Sequence, residues 1–150
     1  VNYNKYLNDL ETSAMIKIRS FEHLCEALEI RINYFHAHGC RLSDHGLEFI
    51  PYKKTSLSEI ENIFKKSRNK KILELEEVEK FQTAILTFLC EQYHKFDWVQ
   101  QFHLGAMRNN NSRMYNLLGA DSGWDSIGQY PIANTLSKSN DSIIKINLKN

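Results

Sequence analysis

The chain has 150 residues, 42% of them apolar, with nineteen Lys and Arg against eighteen Asp and Glu, a formal net charge of +1. That is about one domain's supply of core residues, with no general field to draw it to nucleic acid or to an anionic membrane surface. Its three cysteines, Cys25, Cys40 and Cys90, are odd in number and form no CxxC pair, which argues against a disulfide framework or a common zinc motif and predicts reduced thiols.

The first ten residues, VNYNKYLNDL, lack the basic start and apolar run of a signal peptide, and no stretch approaches about eighteen consecutive apolar residues. These features predict a cytoplasmic protein with neither membrane nor nucleic-acid partners. The chain begins at Val1 and stops at Asn150 without a capping residue, so it reads as a piece of something longer.

Ser20 is placed to cap a helix, and Phe21, Leu24, Cys25, Leu28, Ile32 and Phe35 recur at steps of three and four, marking one helical face that Gly39 closes. CRLSDHGLEFI follows, of a length suited to a buried parallel strand. Ser56 and Glu59 fit a capping box, with Leu57, Ile60, Ile63 and Phe64 on the face beyond. The run KKSRNKK, Lys65 to Lys71, has no interleaved aromatic residue and reads as a solvated helix end and loop.

A longer helix is predicted from about Leu73 to His94, carried by Val78, Phe81, Ile85, Phe88 and Leu89, and WVQQFHL, Trp98 to Leu104, reads as a second strand. A short helix from Met114 to Leu118 ends at Gly119, and Pro131 suits the first position of one more. From Leu136 onward the chain reads only as a helix end with a short apolar run. Helix, strand, two helices and strand argue for an α/β layer fold with parallel strands, in which ligands gather at the carboxyl ends of the strands.

Two polar clusters fall at those expected ends. In Ser43-Asp44-His45 a turn would offer a carboxylate and an imidazole for acid–base chemistry, the bland alternative being a capping aspartate beside a surface histidine. In FHLGAMRNNNSRM, His103 suits a metal or a proton, though a lone strand histidine is more often a satisfied core residue. Arg108 and Arg113 offer bidentate grips on a carboxylate, the alternative being surface charge. Asn109, Asn110 and Asn111 favour turns and caps over packing. His36 and His38 form an H-x-H triplet, but two residues apart in a helix their side chains diverge, and the pair is discounted as a metal site. The acids of DSGWDSIG, Asp121 to Gly128, either cap turns or line a site.

GCRLSDHGLE, Gly39 to Glu48, and QFHLGAMRNNNSRMYNLLGADSGWDSIG, Gln101 to Gly128, resemble two neighbouring motif blocks of the uronate isomerase (glucuronate isomerase) family. With the helices around them, the resemblance runs from about Ser20 to Leu136. It implies a metal-dependent, amidohydrolase-like (β/α)8 barrel that interconverts D-glucuronate with D-fructuronate and D-galacturonate with D-tagaturonate. By that resemblance Asp44 and His103 match active-site positions, and Arg108, Asn109, Asn110 and His45 are the expected substrate contacts.

The family's early H-x-H strand and its late Thr-Asp-Ser-Arg-type block have no counterpart among these residues. Zinc or another divalent metal would therefore be held mainly by ligands outside them, and no metal ligand is assigned within residues 1–150. The expected architecture is a partial TIM barrel of two to three parallel strands with a helix-rich insertion, because a complete barrel takes about 250 residues. Such a central segment would be inactive alone and would self-associate through uncovered barrel faces. Two other readings fit the same residues: a metal-dependent hydrolase on the same scaffold, and a noncatalytic helical interaction module indifferent to Asp44→Ala and His103→Ala.

Overall fold

A computed structural model describes residues 3–130, 132–133 and 136–138. Pro131, expected to open one more helix, and most of the run after Leu136 fall on residues outside that description, while residues 132–133 and 136–138 are helical. The architecture is mostly helical. α1 (Tyr3–Ala14), α2 (Phe21–Ala37), α3 (Leu57–Arg68) and α4 (Leu75–Lys95) accompany a parallel pair, β1 (Leu42–Leu47) and β2 (Val99–Leu104). A short helix, α5 (Ser112–Leu118), lies between two strands of two residues, β3 (Ala106–Met107) and β4 (Ser126–Ile127), which pair antiparallel. No described helix is long and apolar enough to cross a membrane.

Local chemistry explains most boundaries. Ser20 accepts from the His23 backbone N–H at the start of α2, and Ser56 and Glu59 form the reciprocal box expected at α3. That box holds the Glu59 carboxyl down at about 2, chiefly through the Ser56 backbone N–H, with help from the Ser56 hydroxyl and Lys80. α2 gives way to β1 where Gly39 takes φ +90°, a left-handed turn that costs glycine nothing. The KKSRNKK run is the last turn of α3 and its exit: Lys66 pairs with Glu77 at 2.6 Å and Arg68 with Glu11 at 2.7 Å, tying α3 to its neighbours.

One element departs from expectation. Residues 3–14, read only as lacking a signal peptide, form α1. Its apolar stripe is thin, but Leu7, Leu10 and Ala14 recur at helical steps and are buried, and Tyr3 packs beside them. They join Ile18, Phe21, Leu24, Ala27, Ile60, Ile63 and Phe64 in the main core between α1, α2 and α3.

A second apolar layer joins the sheet to α4, where Leu47, Phe102 and Leu104 meet Ile50, Leu86 and Cys90. Strand alternation therefore splits the sheet into two faces. Ser43, His45, Leu47, Gln100, Phe102 and Leu104 are half-buried, whereas Leu42, Asp44, Gly46, Val99, Gln101 and His103 are exposed on the other face. His36 and His38 serve packing and capping. The Trp98 indole N–H donates to His36 Nδ1 at 2.9 Å, and His38 caps α2 beside Tyr34.

Candidate functional site

The parallel register decides which polar side chains meet. Asp44 pairs with Gln101, and Gly46 with His103, all on the uncovered face. Gly46 puts no side chain beside the His103 ring, and the imidazole turns toward Asp44: Nδ1 lies 2.8 Å from Oδ1. On its far side Nε2 lies 3.1 Å from the Gln101 amide nitrogen. An amide nitrogen donates and never accepts, so Nε2 is the acceptor and Nδ1–H donates to Asp44. The three residues form one chain, carboxylate to imidazole to amide. Gln101 was not anticipated as part of this set; its sequence signal is its position two residues before His103, hence on the same strand face.

Asp44, Gly46, Leu47, Glu48, His103, Ala106 and Arg108 line one open cavity of about 520 Å³. Asp44, expected in a turn at a strand end, sits instead in the middle of β1, while His103 lies next to the last residue of β2. Asp44, His103 and Arg108 are thus brought together from segments far apart in the chain.

The remaining expected contacts lie elsewhere. His45, the neighbour of Asp44, points to the opposite face, its ring 5.7 Å from that of Tyr93 and 6.2 Å from that of Phe102. Burial pushes its pKa below the ordinary histidine value, against the opposing pull of the Asp44 charge. The two were expected to share a cleft, but a strand sends successive side chains to opposite faces. Asn109 and Asn110 do not line the cavity. Asn109 takes a left-handed backbone (φ 57°), and its N–H donates to Asp125 at 2.8 Å. The Asn110 side chain donates to Ser126 Oγ at 2.6 Å. Asn111 caps α5 by accepting from the Met114 N–H. Arg113 is exposed on α5, apart from the cavity lining.

Arg108 is held at both ends: its guanidinium donates to Asp125 at 2.8 Å and to Asp121 at 2.5 Å. These are the acids of the DSGWDSIG turn, brought back by the β3–β4 pairing.

Asp44 and His103 are two metal-capable donors engaged with each other, and among the described residues no three His, Cys, Asp or Glu side chains converge to hold an ion. A zinc centre takes at least three protein ligands. This donor set alone does not make a metal centre.

Comparison with known proteins gives this geometry a context. The glucuronate isomerase family model matches residues 1–148. Uronate isomerase from Flavobacterium johnsoniae is 55% identical over 135 residues, 90% of this chain and 29% of that protein. Uronate isomerase from Caldanaerobacter subterraneus subsp. tengcongensis is 45% identical over 142 residues, 95% of this chain and 30% of that protein. Among solved structures, uronate isomerase from Thermotoga maritima superposes with a TM-score of 0.87 at 21% identity, covering 95% of this chain and 32% of that one. Glucuronate isomerase from Caulobacter crescentus superposes at 0.78 and 24% identity, covering 91% of this chain and 28% of that one. These two structural likenesses concern the fold. The chain spans about three-tenths of the length of the curated relatives it matches, and over that span it belongs to the glucuronate isomerase family.

Proposed function

We propose that this stretch forms part of a cytoplasmic hexuronate isomerase that interconverts D-glucuronate with D-fructuronate and D-galacturonate with D-tagaturonate, and that alone it is inactive. The observation that carries the proposal is the meeting of the Asp44–His103 pair with Arg108 around one cavity in a chain of this family. An aldose–ketose isomerisation removes a proton at C2 and returns one at C1 through an enediol. It needs a group that can take and give a proton, and positive charge near the developing oxyanion.

His103 supplies the first. Asp44 holds Nδ1–H and steadies the charge the ring gains when Nε2 takes up a proton. Gln101 occupies Nε2 until substrate arrives. Arg108 supplies the grip on the sugar's carboxylate, with the Asn109–Asn111 run shaping the loop that carries it. In this reading β1 and β2 are two strands of a (β/α)8 barrel. Their uncovered face, bearing Leu42 and Val99 beside Asp44 and His103, is the barrel interior, closed by strands beyond this stretch; exposed as it is here, it would favour self-association. A divalent metal, zinc or another, would take its main ligands from those further strands.

Arg108→Lys in the full-length protein tests the substrate grip. Lysine keeps the charge but loses the planar fork. The expected result is a KM for both uronates raised by about 10-fold or more, with a smaller change in kcat, the pattern of lost uniform binding. Unchanged KM for both sugars would remove Arg108 from the binding site.

A further inference from the structure

The two carboxylates on Arg108 are not equivalent. Asp125 is mostly covered, its side chain 26% exposed, and is tied twice: one oxygen accepts from Arg108 and the other from the Asn109 backbone N–H. The Asp121 side chain is 75% exposed, and its carboxylate is held by Arg108 alone among the described residues. Asp121 itself has φ 58°, between Gly119 and Gly123, both with positive φ. Glycines at such positions let the backbone turn where a side chain would resist.

A guanidinium facing two carboxylates carries a local charge of −1. A uronate carboxylate approaching it would meet net repulsion and find one donor on each terminal nitrogen already engaged. Arg108 nevertheless lines the cavity that holds Asp44 and His103, whereas Asp121 does not.

We propose that Asp121 is a stand-in for the substrate's carboxylate: it occupies Arg108 while the cavity is empty and is exchanged for a uronate on binding, with Asp125 remaining as the fixed anchor. This inference rests on the reading of Arg108 as the carboxylate grip. It makes Asp121 a determinant of affinity for charged sugars alone, because a neutral analogue offers nothing to exchange. Asp125 is a positioning residue that aims the guanidinium.

The test is calorimetric titration of the full-length protein with D-glucuronate and with its neutral amide, D-glucuronamide. Asp121→Asn removes the competing charge and keeps the side-chain shape. It should lower Kd for D-glucuronate by about 2- to 5-fold, the range of an exposed ion pair, and leave the amide unchanged. Asp125→Asn should raise Kd for D-glucuronate by about 10-fold through loss of the charged anchor. Arg108→Gln separates the two levels of the account. If it weakens D-glucuronate alone, yet Asp121→Asn leaves that Kd unchanged or raises it, the exchange is overturned and Asp121 is a static brace. If Arg108→Gln affects both sugars equally or neither, the carboxylate grip fails and the exchange falls with it.

Discussion

His103→Asn in the full-length protein is expected to lower kcat for D-glucuronate by about 10²- to 10⁴-fold, the usual contribution of one positioned acid–base group. Asparagine places its amide nitrogen near the Nδ1 position and can still donate to Asp44, but it has no atom at Nε2 and cannot take up a proton near neutral pH. The His103 side chain is 63% exposed and belongs to none of the buried clusters. Stability should therefore move by no more than about 0.5 kcal/mol. Asp44→Asn tests the partner. It removes the carboxylate that holds the imidazole Nδ1–H at 2.8 Å, so kcat should fall by about 10-fold or more as the ring loses its orientation, with thermal stability little changed. Steady-state kinetics across pH, with thermal unfolding as control, measure both. A kcat within a factor of two of wild type in His103→Asn would take the proton-transfer role away from this pair.

Phe64→Ala is the substitution with the largest expected effect on stability. Phe64 has no exposed surface and sits among Leu7, Leu10, Ile18, Leu24 and Ile60, where α1, α2 and α3 meet. Truncating it removes the ring's transfer energy and leaves a cavity that three helices cannot easily close, at a cost of about 3–5 kcal/mol. Against a total stability of about 5–15 kcal/mol, that takes a large share. Urea unfolding followed by far-UV circular dichroism should show a midpoint shifted well down with a similar slope. Leu57→Ala on the same helix, at a side chain 82% exposed, should leave the midpoint nearly in place.

What the sequence disclosed follows from which signals are local. Ser20, the Ser56–Glu59 box and the periodicity of residues 21–35 and 73–94 act within a turn or two, and α2, α3 and α4 lie where those signals put them. α1 was missed because seven of its twelve residues are Asn, Lys, Asp, Glu, Thr or Ser, and its three buried side chains are held by α2 and α3 rather than by its own propensity. Both strands of the parallel pair were legible in outline, and with them the placement of Asp44 and His103 on neighbouring strands. Their contact was not legible, because it depends on a register that sets Gly46 opposite His103 across two intervening helices.

The asparagine run shows the same division. Its turn-forming character was plain, but which neighbour each residue meets was set by Asp125, Ser126 and Met114. In the polar loop the Asn109 backbone N–H, the Asn110 side chain and the Asn111 side chain are engaged within the loop around Arg108. The separation of His45 from Asp44 was implicit once LSDHGL was a strand, and was obscured by reading the pair as a turn.

The most direct measurement is ketose formation from D-glucuronate and D-galacturonate, with added zinc, comparing the full-length protein with the 150-residue chain alone. The account predicts D-fructuronate and D-tagaturonate from the full-length protein and neither from the chain. Failure of the full-length protein to isomerise either sugar would contradict it.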